Sequence, residues 1–249
     1  MKITFLGTAA GLPCKGRASS STMIEVNGKY YIIDAGAPIV NKFVDSDRTL
    51  DDLRAIFITH CHLDHLLGII DVIRCVNIPK IFKEANVSYY LPEEGVLTAI
   101  KNYFSAFMGG VREDVNHFNI YTEGVLFEDE NLKVTAIPTA HLRAKDRPSY
   151  AFIVECEGKR ILFTGDLSHG LKYDDYPKAA FEEYFDLVVS ESTHFDLSMV
   201  FPSFERASLG RLVFNHVSQW RIPEIEAESR SGKYPFPITI AYDGYCLEL

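Results

Sequence analysis

The chain has no run of eighteen apolar residues, so no membrane-spanning helix is expected. It also lacks a CxxC pair: its five cysteines, Cys14, Cys61, Cys75, Cys156 and Cys246, are scattered and odd in number. That pattern argues against a disulfide scaffold and fits a reducing cytoplasm. Basic charge is scarce, with 25 Lys and Arg against 34 Asp and Glu, a net charge of −9. A general nucleic-acid binder would show a basic surface, so no large nucleic acid is expected as a partner. An anionic substrate at a local site remains compatible, because bound divalent metals reverse the charge there. The opening "MKITFLGTAAGLP" has one lysine and no long apolar stretch. It reads as a first strand entering a glycine loop rather than as a secretory signal.

What is present is an ordinary globular balance over 249 residues, 47% hydrophobic and 24% charged. No repeat or linker divides it, and we expect a single domain over 1–249. "TMIEVNGKYYIIDAG" reads as a hairpin, with Asn27-Gly28 suited to a two-residue turn. "LRAIFITH" is a buried strand ending at His60, and "HLLGIIDVIRCV" a helix. A strand "VSYYLP" and an amphipathic helix "EEGVLTAIKNYFSAF" follow. Strands return in "FNIYTE", "GVLFE", "LKVTAIPTAH" and "SYAFIVECEGKRILFTGD", the last folded back at Glu157-Gly158. The final third suggests a helix near 176–184, a strand "DLVVSE", a short helix near 203–209, a strand "RLVFNH", a surface loop "SRSGKYPFP" and a closing strand pair around "ITIAYDGYCLEL". Helices placed between early and late strands point to an α+β sandwich of two sheets covered by helices.

The densest chemistry lies in "FITHCHLDHLLG", where His60, His62, Asp64 and His65 fall within six positions of a chain with eight histidines. Just past a strand end, an extended loop would turn the imidazoles of His60 and His62 the same way. Four ligands from one turn leave too little room for a single closed tetrahedral site. They suit two adjacent divalent metals completed from elsewhere; imidazoles with carboxylates favour Zn2+, with Mn2+ or Fe permitted. Three completions each follow an apolar strand: His141 after "VTAIPTA", Asp166 after "RILFTG" and His216 after "RLVFN".

"THCHLDH" resembles the HxHxDH signature of the metallo-β-lactamase superfamily, with His141, Asp166 and His216 in the expected order. The resemblance covers nearly the whole chain and implies a four-layer αββα sandwich. It implies that His60, His62 and His141 hold one metal, that Asp64, His65 and His216 hold the other, and that Asp166 bridges them. A hydroxide between the metals would be the nucleophile, and Asp64 could take a proton from the attacking water. Cys61 and Leu63 alternate away from the metals, so Cys61 is expected to be packing.

The opening "FLGTAAGLPCKGRASSS" resembles ribonuclease Z and related phosphodiesterases, and "SEST" at 190–193 resembles the "EAT" segment of that group. Lys15, Arg17, Ser19 and Ser20 could set charge and hydroxyls near a phosphate, and Ser168 is assigned with them to substrate binding. Two features depart from the family pattern. Only 24 residues separate His141 from Asp166, too few for the arm that grips transfer RNA. The histidine-serine-threonine segment used in that family's catalysis is also absent between Glu191 and His216, which leaves His194, or His169, as proton donor. The resulting expectation is a phosphodiesterase acting on a small diester, a cyclic nucleotide above all, as in the similar anti-Pycsar phosphodiesterases. An RNA endonuclease, a lactonase or a thioesterase are the alternatives. Tyr103, Phe104, Phe107 and Met108 suit core packing, a homodimer contact or a wall that stacks on a base.

Overall fold

The computed structural model describes residues 1–249 and divides into two compact units. The first comprises residues 1–7, 12–121 and 243–248; the second comprises 8–11, 122–242 and 249. Each unit holds one seven-stranded mixed sheet.

In the first unit, Lys2–Gly7 (β1), Ser21–Val26 (β2) and Lys29–Ile33 (β3) form an antiparallel meander. Asn27 and Gly28 both take positive φ, as the two-residue turn between β2 and β3 requires. A short helix Ile39–Val44 (α1), which the sequence reading did not anticipate, precedes Leu53–Phe57 (β4). The expected helix after His60 is realised as Leu63–Leu66 (α2) and Gly68–Asn77 (α3), with Leu67 between them still in helical conformation. α3 buries Ile69, Val72, Ile73 and Val76, the i, i+3, i+4, i+7 stripe of an amphipathic helix. Val87–Leu91 (β5), Glu94–Met108 (α4) and Asn116–Ile120 (β6) complete the run. Strands β3, β4, β5 and β6 pair in parallel. The outer edge beside β1 is filled by Cys246–Glu248 (β14), far along the chain. Phe43, Ile69, Ile73 and Phe104 lead the core between these helices and their sheet. Of the four apolar residues noted on α4, only Phe104 is buried; Tyr103, Phe107 and Met108 are exposed.

The second unit repeats the pairing pattern. Gly124–Glu128 (β7), Leu132–Pro138 (β8), Tyr150–Cys156 (β9) and Lys159–Phe163 (β10) are antiparallel neighbours. Leu187–Ser190 (β11), Leu212–Phe214 (β12) and Ile238–Ile240 (β13) then add in parallel. Glu157-Gly158 makes the β9–β10 turn with both φ positive, the counterpart of Asn27-Gly28. Helices Ala179–Glu182 (α5), Phe201–Phe204 (α6) and Ile222–Arg230 (α7) cover this core, in which Phe185, Phe195, Phe204 and Ile225 are fully or nearly fully buried.

Several expectations change. The helix near 176–184 shrinks to α5, and the one near 203–209 lies earlier, at Phe201–Phe204. α7 was missed because its stripe is thin: Ile225 is its one buried side chain, and its last residues fall in the segment read as loop. The closing strand pair is not a pair, since β13 joins β12 and β14 joins β1 in the other sheet. No helix is long and apolar enough to cross a membrane, and all five cysteines are free thiols.

Candidate metal centre

The histidine-rich loop of the first unit is built around a residue outside the motif. Asp34 follows β3, is buried and takes a positive φ, which an aspartate tolerates better than most residues. Its carboxylate accepts the Thr59 amide at 2.8 Å, the Thr59 hydroxyl at 2.9 and 3.0 Å and the His65 Nδ1–H at 2.7 Å. Because the Thr59 hydroxyl proton goes to Asp34, its oxygen is left to accept from His60 Nδ1 at 3.1 Å. One carboxylate therefore fixes the tautomers of two histidines, His65 directly and His60 through Thr59. Each then carries its lone pair on Nε2, the form a metal ligand needs.

The four motif residues converge within this unit. His60 Nε2 and His62 Nδ1 are 3.1 Å apart, and the His60 and His65 rings are 4.2 Å apart between centroids. Asp64 Oδ2 lies 3.4 Å from His65 Nε2. Close backbone approach holds the loop. Ala35 N–H donates to His65 O and Gly68 N–H to Ala35 O, and a side chain at Gly36 or Gly68 would collide with main-chain atoms. Cys61 is buried, as packing requires.

In the second unit the strand-end residues also converge. His141 donates through Nδ1 to Leu167 O at 2.9 Å, which leaves Nε2 at 3.8 Å from Asp166 Oδ2. Burial pushes the His141 pKa down, against the pull of the Asp166 carboxylate, and so favours the neutral imidazole. His216 takes a positive φ after β12 and sets Nδ1 3.6 Å from Asp166 Oδ1. His194 joins them: Asp166, His194 and His216 each offer a ligand atom, all within 4.8 Å of one another. The organiser here is Glu191, buried just past β11. It accepts from the amides of Leu167, Thr193 and His194 at 2.7, 2.9 and 3.0 Å and from His194 Nδ1 at 2.9 Å. Asp34 and Glu191 were not assigned roles from sequence; the signal that pointed to His60, a polar residue just past a buried strand, marks both.

The expected substrate residues fall into two groups. Lys15 is exposed and Arg17 half-buried on a turn closed by Cys14 and Arg17 backbone bonds, while Ser19 and Ser20 are buried below it. Asp243 pins this loop by accepting Ala18 N–H and Lys42 Nζ, both at 2.8 Å. Ser168 is buried, its hydroxyl donating to Asp175 at 2.5 Å. His169 is exposed, whereas the His194 side chain is 23% exposed and held by Glu191.

A signature loop of the superfamily and two mixed sheets flanked by helices define a member of the metallo-β-lactamase superfamily. Solved structures agree on the fold. YhfI from Bacillus subtilis, described as a metallo-β-lactamase fold protein, is similar with a TM-score of 0.78 at 16% identity over 99% of both chains. The short form of human tRNase Z is similar with a TM-score of 0.72 at 21% identity over 100% of this chain and 99% of that one.

Within that class, residues 1–173 match the model of the anti-Pycsar protein Apyc1 family, and the chain belongs to that family. Ribonuclease Z of Methanocaldococcus jannaschii is 29% identical over 155 residues, 61% of this chain and 47% of that protein. The chain spans about half the length of the curated relatives it matches.

Proposed function

We propose that this protein is a metal-dependent phosphodiesterase that hydrolyses a small diester, a cyclic nucleotide above all. Membership of the anti-Pycsar family carries this reading. The loop between His141 and Asp166 supports it: residues 142–149 make one short turn, and the rest of the interval is the β9–β10 hairpin, with no inserted arm. The ribonuclease Z alternative depends on gripping a large RNA, which the net charge of −9 disfavours.

The donor sets fit divalent ions of the Zn2+ kind: imidazoles, with the Nε2 lone pairs of His60, His65 and His141 oriented by their Nδ1 partners, and carboxylates beside them. In this reading His60, His62, Asp64, His65, His141, Asp166 and His216 would hold the ions. Such ions lower the pKa of a bound water to about 7 and neutralise charge on a phosphate. The chain's own residues do the rest. Asp64 accepts a proton from the attacking water. In its protonated form His194, steadied by Glu191 at Nδ1, donates its Nε2 proton to the leaving oxygen. Lys15 and Arg17 supply positive charge to the phosphate oxygens, with Ser20 and Ser168 in the loops that shape the site. The exposed Tyr103, Phe107 and Met108 suit a homodimer contact, and the free thiols suit the cytoplasm.

The test is a panel of 3′,5′-cyclic nucleotides and bis(p-nitrophenyl) phosphate, with lactones and thioesters as controls, on metal-loaded protein. Diester turnover abolished by His62→Ala is the expected result. Turnover of the acyl substrates alone would overturn it.

A further inference from the structure

The chain's single tryptophan is Trp220, and its side chain is 64% exposed. A large aromatic left in water needs a reason, and its surroundings supply one. Trp220 lies four residues beyond His216, in the turn that precedes α7. That turn is zipped to the His194 segment. Thr193 Oγ1 donates to His216 O at 2.6 Å and sits 3.3 Å from Ser218 Oγ, while Arg221 Nη2 donates to Phe195 O at 2.6 Å. The His194 and His216 rings lie near-parallel within this ribbon, 5.7 Å between centroids.

The indole also rests on a fixed backing. The Arg221 guanidinium lies 4.1 Å from the Trp220 ring centroid. Arg221 is itself buried, and beyond its bond to Phe195 O it donates to Glu224 at 2.8 Å. A cation held against one face of an indole steadies the ring and leaves the rest of the aromatic surface to water. Little side-chain freedom is then lost when a second planar group covers it.

We propose that Trp220, backed by Arg221, is a stacking subsite for a planar heteroaromatic ring, the base of a nucleotide. This rests on the nucleotide reading above and deepens it: the cluster around His216 serves the phosphate end, and Trp220, four residues on, selects for a base attached to it. Stacking tolerates any base and follows its surface area, so purines bind more tightly than pyrimidines.

Because all tryptophan emission comes from position 220, binding can be read without turnover. Metal-loaded protein is titrated with adenosine 5′-monophosphate and, separately, with ribose 5-phosphate, which has the phosphate but no base. Quenching by the nucleotide alone is expected. Trp220→Ala should raise the KM for a cyclic purine nucleotide roughly tenfold while kcat changes far less, and Trp220→Phe should restore most of the loss. Equal quenching by both ligands, or an unchanged KM in Trp220→Ala, overturns the subsite while cyclic-nucleotide turnover by the parent protein would leave the activity standing. If the parent turns over no cyclic nucleotide, the functional reading fails, and the titration still decides the subsite.

Discussion

Replacing Asp34 with asparagine tests how much of the metal chemistry is governed from behind the ligands. The side chain keeps its shape and its Oδ1 still accepts from Thr59, but the new amide turns an N–H toward His65 Nδ1, 2.7 Å away in the parent. His65 must then accept at Nδ1 and carry its proton on Nε2, the position facing Asp64. The Thr59 hydroxyl loses one of its two carboxylate contacts, and the orientation of His60 loosens with it. Removing an outer partner of a metal-bound histidine typically weakens metal binding about 10- to 100-fold, ~1.4–2.7 kcal/mol. Saturating metal stabilises a folded protein in proportion to the logarithm of its affinity. The gap in melting temperature between metal-loaded and metal-stripped protein should therefore shrink by about 3–10 °C. Competition with a chromophoric chelator measures the affinity directly. An unchanged affinity together with an unchanged gap would refute the idea that Asp34 sets these tautomers.

Three further outcomes follow from the same geometry. His194→Ala should lower kcat about 100-fold or more for a diester with an alkoxide leaving group and far less for p-nitrophenolate, which leaves without a proton; equal losses would deny His194 the donor role. Burial lowers the His141 pKa, so the metal-free unfolded chain takes up this proton first as pH falls below about 6.5. Its stabilising contribution is present above that pH and lost below it, down to the depressed folded value, by at most ~1.4 kcal/mol per pH unit. Denaturant midpoints measured between pH 7.5 and 5 should show a slope that His141→Asn reduces. Gly36→Ala would set a Cβ 2.5–2.6 Å from main-chain atoms of Ser19 and Asp64, and should cost about 3 kcal/mol, read as a fall of several degrees in Tm.

The sequence disclosed the motif loop, the strand ends that follow it and most strands, because each is a local pattern of burial period and turn residues. The hairpins at Asn27-Gly28 and Glu157-Gly158 were legible for that reason. What stayed hidden depends on distant partners. α7 has one buried side chain and no strong period, and the separation of β13 from β14 is a matter of which edge each finds. Asp34 drew no assignment from sequence, because what distinguishes it is its bonds to Thr59 and His65. Glu191 lay inside a recognised segment, but its four acceptor contacts cannot be read from spacing.

The assignment of β14 to the first unit and of residues 8–11 to the second has a consequence for any attempt to dissect the chain. A single cut after Tyr121 would give two fragments, neither of them whole. The earlier piece would lack the edge partner of β1 and the Asp243 carboxylate that ties down Ala18. The later piece would lack the Ala9–Val217 bridge and the Gly11 amide that donates to His216. During synthesis the first sheet likewise waits for its last strand until the entire second sheet has been made. The polypeptide is laced rather than concatenated, so split forms should recover either unit whole only when both pieces are mixed.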